Sequence, residues 1–405
     1  MVVQLPTMKK IYLLALTLIS ISTQAQLLTA EELNQKKEFT SLEEALKNPD
    51  SVYRLNLENQ NLTEIPSSIS TLKNLNVLVL SHNKISSLPE FLFGLTQLQT
   101  LGLNDNLIEA LPVNVGDLNN LTSFNLEQNK LTEIPESFGN LSRLTRLDLA
   151  WNNLLKLPES IGKLERLEYV NLYVNDLEKL PKSIGNLTSV TDFYCSSNRL
   201  KKLPDGLCNL INLRVLDLGD NQLAALPKDF GDLKQLEYLF LYENQLSKLP
   251  LSFGGLVELV ELDLIGNQLS ELPETIATLV KLREINLDGN NFTEFSPHLF
   301  QLKNIEGIGY SYNQISHLPD SINILQNLAS LTLDDNPIAD LPENFWSLTK
   351  LVYLDISGTL ITIIPAKLAY LKELQELDLS NLNLTEEQRE AVKLYLVHPN
   401  VQVRF

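Results

Sequence analysis

The chain repeats itself every 23 residues. Residues 144–166 read LTRLDLAWNNLLKLPESIGKLER, and 23 residues in either direction the same frame returns: L-x-x-L-x-L-x-x-N-x-L-x-x-L-P-x-x-I-x-x-L-x-x. Its asparagine recurs at 83, 106, 129, 152, 175, 198, 221, 244, 267, 290, 313 and 336, with no insertion or deletion between copies. Gln60 precedes the series, and Thr359 and Leu382 continue it, giving fifteen repeats. Self-similarity at this period marks an array of small units, each unable to bury its apolar face alone. It overrides the expectation that 405 residues form two or three domains. A solenoid grows by contacts between neighbours and has no central core.

The first half of each copy alternates apolar and polar residues, as in Arg146-Leu147-Asp148-Leu149-Ala150, which is strand periodicity. Identical strands on successive turns run parallel, ~4.8 Å apart. The second half carries a proline, at 66, 89, 112, 135, 158, 181, 204, 227, 250, 273, 319, 342 and 365. A fixed φ and a missing N–H suit a short irregular turn on the outside of a curve. Ser296-Pro297 breaks that register by one residue and reads as a local irregularity. The recurring asparagine, with amide donors and acceptors, is placed to satisfy turn backbone groups that stacking would bury.

The frame L-x-x-L-x-L-x-x-N-x-L resembles the leucine-rich repeat family. Its L-P-x-x-I-G-x-L half is similar to the subtype found in bacterial surface repeat proteins and in Ras-associated scaffold and plant relatives. The resemblance spans residues 52–384. It implies an α/β fold: a right-handed solenoid, or horseshoe, with a parallel sheet on the concave face and an irregular or short helical convex side. It also implies protein–protein recognition, including adhesion to host or neighbouring-cell surfaces. A fold of this kind does not by itself name a partner.

The ends read differently. Lys9 and Lys10 precede an apolar run from Ile11 to Ile21 and then Ser22-Thr23-Gln24-Ala25. This is the pattern of a secretory signal peptide, expected to be cleaved after Ala25. The run is too short for a membrane span, which needs ~20 apolar residues, so no transmembrane segment is expected after cleavage. Export to the periplasm, cell surface or medium follows. Residues 26–51 hold two capping-box patterns, Thr29–Glu32 and Ser41–Glu44, and read as an N-terminal helical cap. Residues 385–405 open with a third at Thr385–Gln388 and close with the alternating Val401–Phe405. They read as a C-terminal cap covering the last strand edge.

Nothing in the chain carries a catalytic or metal-binding pattern. His82, His298, His317 and His398 lie far apart without ligand spacing, and the nucleophile-elbow, phosphate-loop and zinc-helix motifs are missing. Gly307-Ile-Gly309 lacks the third glycine of a dinucleotide loop and reads as a coincidence of the frame. Asp288–Asn291 and Asp334-Asp335 carry oxygen ligands of the kind that hold calcium, but read first as solvated acidic turns. Cys195 and Cys208 read as buried small hydrophobes. No cofactor, metal or enzymatic activity is expected. The net charge of −18 becomes −20 once residues 1–25, with two lysines and no acid, are removed. That argues against nucleic acid and for partners with basic surface.

The candidate site emerges where copies depart from their own consensus. The residues six, four, two and one before the ladder position face the concave side. In the five repeats around Asn152 to Asn244, seven of these twenty slots are aromatic: Trp151, Tyr169, Tyr173, Tyr194, Tyr238, Phe240 and Tyr242. The other ten repeats place only Tyr312 and Tyr353 in forty such slots, so the aromatics are concentrated. Over all sixty slots there are seventeen acids, two arginines and no lysine. Asp217, Glu261 and Asp263 continue directly from the aromatic patch. An aromatic centre with an acidic flank suits a protein partner offering basic and apolar groups. The alternative reading is a glycan-binding envelope protein, since stacked rings beside carboxylates also suit sugars.

Overall fold

The computed structural model describes residues 27–396 and 401–405. The signal-peptide reading of residues 1–25 lies outside these. Among the described residues, seventeen strands form one parallel sheet. After α1 (Ala30–Asn34), β1 (Glu38–Phe39) and α2 (Leu42–Ala45), the array runs in steps of 23 from β2 (Arg54–Asn56) to β16 (Glu376–Asp378). It then closes with α3 (Glu386–Tyr395) and β17 (Gln402–Arg404). Every neighbouring pair is in register, for example Leu147 opposite Val170. The parallel-sheet solenoid read from the repeat is the fold observed.

Each strand from β2 to β16 is three residues long because only that stretch lies flat against its neighbours before the chain turns. Its inward residues are the frame leucines: Leu147 and Leu149 are buried, as are their counterparts in every copy. The return path is a 3-10 turn, such as Glu159–Lys163, with Pro158 at φ −70° just ahead of it. Proline costs nothing there, since the first N–H groups of a helical turn have no internal partner. Facing 3-10 turns pack closely. A β-carbon on Gly162 would fall 2.6 Å from that of Ser183, which explains the glycine in so many copies.

The asparagine column ties successive copies together. Asn152 Nδ2 donates to its own turn at Leu149 O, 3.1 Å, and Ala150 O, 3.1 Å, and to Leu126 O of the preceding copy, 2.9 Å. Its Oδ1 accepts from Leu131 N–H, 2.9 Å. Thr359 keeps only a bond to Ile356 O, 2.8 Å, and Leu382 has no amide at all. The array ends where that column runs out. There β17 pairs with β16, and Arg404 meets Asp378 at 3.2 Å. At the other end β1, a strand not anticipated from the sequence, pairs with β2, and Arg54 meets Glu38 at 2.8 Å. α1 begins with a complete capping box at Thr29 and Glu32.

Two irregularities have local causes. Ser296 replaces a proline and therefore has an N–H, which donates to the buried Tyr310 hydroxyl at 3.2 Å. Tyr310 stands where other copies carry leucine, and Phe292 meets it edge-on at 5.3 Å. Cys195 and Cys208 are both free and buried. Burial raises both thiols, Cys208 to about 11, so neither is a nucleophile.

Asn198→Ala should cost about 2–4 kcal/mol, because Leu177 N–H and the Leu172 and Cys195 carbonyls lose a buried partner. Leu147→Ala should cost about 2–5 kcal/mol through its cavity. Urea unfolding followed by circular dichroism measures both; an Asn198→Ala change below about 0.5 kcal/mol would remove the ladder from the stability argument.

Candidate binding site on the concave face

The pleat decides which side chains reach the concave face, because alternate residues point to opposite sides of a sheet. With the frame leucines inward, the residues six and four before each ladder position face outward. β7 (Tyr169–Asn171), β8 (Asp192–Tyr194), β9 (Val215–Asp217) and β10 (Tyr238–Phe240) align these into rows. One row runs Asn171, Tyr194, Asp217, Phe240 across the four strands.

Half of the predicted residues close on one cleft. Tyr169, Tyr173, Tyr194, Asp217 and Tyr242, together with Asn171, line about 320 Å³. The Tyr169 and Tyr194 rings are tilted at 48° with centroids 5.7 Å apart. The Arg146 guanidinium lies 3.6 Å from the Tyr169 ring centre. Trp151, half exposed, meets Tyr173 edge-on at 5.6 Å and extends the wall without lining the cleft. Tyr238 and Phe240 lie beside it on β10. Tyr242 lies flat over Gly219: a β-carbon on that residue would overlap its ring. Neither Asn171 nor Gly219 stood out in the sequence, since Asn is common in its column and a glycine leaves no chemical signature.

Glu261 and Asp263, on β11 (Glu261–Asp263), belong to a second hollow of about 370 Å³ that also takes in Glu284, Asn286 and Asp288. Its depth comes from β13 (Gly307–Gly309), where two successive outward positions carry no side chain. A β-carbon on Gly309 would fall 2.6 Å from Asn286 Oδ1 and 2.7 Å from Asp288 Oδ1. The glycine pair read as a coincidence of the frame is therefore the floor of a polar depression.

The acidic column has a local duty as well. Asp217 Oδ1 accepts the Gly219 N–H at 3.1 Å, and its other oxygen accepts the Ser196 hydroxyl at 2.6 Å. Asp263 likewise accepts the Ile265 N–H at 3.0 Å. Aspartate or asparagine four before the ladder position thus holds the end of its own strand, a side-chain turn these residues favour. Burial nevertheless raises the Asp217, Asp263 and Glu261 carboxyls and the Tyr169, Tyr194 and Tyr242 phenols. Asp288 is pushed up to about 6, chiefly by burial and further by Asp334, against the Ser311 N–H that it accepts at 2.6 Å.

The residue just before each ladder position adopts left-handed backbone in all fifteen repeats. Gly266, Gly289, Gly358 and Asn381 suit that geometry, whereas Trp151 at φ 54°, Val174 at φ 52° and Tyr312 at φ 53° do not. The signal was visible as a column rich in Gly, Asp and Asn. Two of its bulky exceptions are aromatic rings turned to solvent, and residues held in such strained positions cluster at functional sites.

Among the described residues, no group of three or more His, Cys, Asp or Glu could hold a metal ion. Asp288 and Asp334, from the acidic turns, both accept from Ser311. Among the same residues no helix is long and apolar enough to cross a membrane.

Asp288→Asn keeps the acceptor for Ser311 N–H and should raise stability at pH 7 by on the order of 1 kcal/mol, after allowing for solvent screening. In the native protein the folded state holds the Asp288 proton more tightly than the unfolded chain. The contribution of this site to stability therefore falls as pH rises from about 4 to about 6. Urea titrations at pH 4.5 and 7 should show that fall flattened in the variant; parallel pH profiles would contradict it.

Comparison with known proteins adds the lineage of the scaffold. The model of the leucine-rich repeat region matches residues 113–204, 194–308 and 286–396, and a second leucine-rich repeat model matches residues 50–108. A leucine-rich repeat protein of Leptospira interrogans is 32% identical, with a TM-score of 0.77, over 91% of this chain and 100% of that one. The functional domain of InlJ from Listeria monocytogenes superposes with a TM-score of 0.70 at 24% identity, over 82% of this chain and 68% of that one. The plant peptide hormone receptor RGFR1, solved in complex with RGF2, gives 0.67 at 29% identity, over 82% of this chain and 59% of the receptor. No curated protein matches.

Proposed function

The chain belongs to the leucine-rich repeat family, and we propose that it is an exported, non-catalytic recognition protein that binds a protein partner in the tyrosine cleft of its concave face. The observation that carries this reading is the cleft itself. Rings of Tyr169, Tyr173, Tyr194 and Tyr242 surround open space on a rigid sheet, with Trp151 exposed beside them. Tyrosine and tryptophan bring large apolar area, a polar tip and little conformational entropy to lose, which is why they anchor interfaces. The receptor RGFR1, on a similar scaffold, was solved in complex with RGF2, which supports a protein or peptide ligand here.

The non-catalytic part rests on the chemistry of the face. Asp217, Asp263 and Asp288 are engaged with backbone N–H groups, and no histidine, cysteine or lysine lines the cleft or the hollow. Adhesion to a cell surface is the use that best fits export combined with a rigid recognition face. The rings would also stack on a sugar, and the same assay separates the two ligands.

The purified chain should capture a protein from cell-envelope or extracellular fractions and bind no member of a glycan panel. Replacing Tyr173, Tyr194 and Tyr242 by Ala should weaken capture at least about tenfold, the loss of ~1.4 kcal/mol or more, while leaving thermal unfolding nearly unchanged. Capture undiminished in the triple variant, or a variant that melts as early as Leu147→Ala, would defeat the cleft as the site. Saturable glycan binding lost in the variant would favour the sugar.

Export has its own test. Mass spectrometry of the protein made by cells should find it outside the cytoplasm beginning at Gln26. A cytoplasmic species that retains residues 1–25 would sink the proposal.

A further inference from the structure

The tyrosine cleft and the glycine-floored hollow lie on one continuous trough. The row four before the ladder position runs Tyr194, Asp217, Phe240, Asp263, Asn286, Gly309, each paired in register with the next. The cleft spans β7 to β10. The hollow spans β11, β12 (Glu284–Asn286), β13 and β14 (Ser330–Thr332). The two centres are therefore four strands apart, roughly 19 Å at ~4.8 Å per strand.

The two halves differ in chemistry. The cleft presents aromatic rings. The hollow presents Glu261, Asp263, Glu284, Asp288 and Glu306. Cations near the trough are already committed. Arg146 lies over Tyr169, and Arg283 at the rim pairs with Glu306 at 2.9 Å. Arg54 and Arg404, at the two ends of the sheet, pair with Glu38 and Asp378. Burial in the hollow raises the Glu261, Asp263 and Asp288 carboxyls, as expected where no cation offsets them. A face left with uncompensated carboxylates beside uncovered rings is complementary to a ligand with an apolar and a cationic end.

Building on the protein-binding reading above, we propose that the trough takes an extended, cationic segment of the partner laid across the strands. An aromatic or branched apolar side chain of that segment enters the tyrosine cleft, and a lysine or arginine side chain enters the hollow floored by Gly307 and Gly309. An extended chain advances ~3.3 Å per residue, so about 19 Å corresponds to roughly six residues between the two side chains. A compact globular surface meets no such spacing rule. The missing side chains at Gly307 and Gly309 leave a recess into which a long basic side chain reaches, and its apolar stem packs on the strand surface that floors it.

The test is a series of fluorescein-labelled twelve-residue peptides in a Gly/Ser background. Each carries one Tyr and one Arg at spacings from two to nine residues, and each is titrated with the purified full chain by anisotropy. Affinity should peak at a spacing of five to seven. Exchanging Arg for Gln should weaken the best peptide about tenfold. The Glu261→Gln, Glu284→Gln double variant should lose that same factor toward the Arg peptide and nothing toward the Gln peptide. Both positions lie on the face and outside the core, so circular dichroism should be unchanged. Affinity independent of spacing, no peptide binding, or equal binding of an Asp-for-Arg control each overturns the proposal. The protein-binding reading fails separately, when the tyrosine triple variant keeps its captured partner. A partner lost in that variant while no peptide binds overturns the extended-segment proposal alone.

Discussion

Everything in this molecule rests on the amide of one asparagine per turn. A solenoid buries the backbone at the end of every strand, where the chain leaves the sheet and its N–H and C=O groups have no strand partner. The Asn152 side chain meets two carbonyls of its own copy and a carbonyl and an N–H of the copy before. Two of those bonds hold the turn of the copy itself and two couple it to its neighbour, a pair that recurs from Asn83 to Asn336, and a group buried without a partner costs more than any single contact returns. This is why the period never slips between Asn83 and Asn336, and why the array ends where threonine and then leucine take the position.

Because the ladder and the frame leucines carry the fold, the concave residues are free to vary, and the face becomes the variable part of an otherwise uniform object. The freedom has limits. Aspartate and asparagine four before the ladder position hold the strand end, so Asp217 and Asp263 are both face and scaffold. The slot just before the ladder position demands left-handed backbone, which Trp151 and Val174 meet at a cost that Gly266 and Gly289 avoid. Tyr242 lies flat only because Gly219 lends it the space. Binding character here is a set of local departures that the regular scaffold is strong enough to hold.

The electrostatics follow from the same geometry. A concave sheet brings outward side chains of successive strands closer to one another and farther from water than a flat one would. Several carboxylates and phenols of the cleft and the hollow are accordingly raised, with burial the leading cause, and Asp288 reaches about 6 chiefly through burial, with Asp334 adding to it. The outward acids gather in the hollow next to the ring-lined cleft, giving the trough one aromatic and one acidic end.

Much of this was legible in the sequence, because repetition turns a three-dimensional problem into a one-dimensional one. The period, the strand alternation, the parallel pairing, the asparagine ladder and the aromatic concentration all follow from comparing each copy with the next. Tertiary structure decided what depends on missing atoms and on angles. Gly307 and Gly309 look inert in a string of letters, yet they make the hollow, since a cavity is defined by what its neighbours do around an absence. Asn171 looked like consensus, yet it lines the cleft. Trp151, the most conspicuous residue of the patch, turned out to be its wall, because its backbone angle aims the ring across Tyr173. A repeat determines where each side chain starts; only the packed rings and the curvature of the sheet decide where it ends.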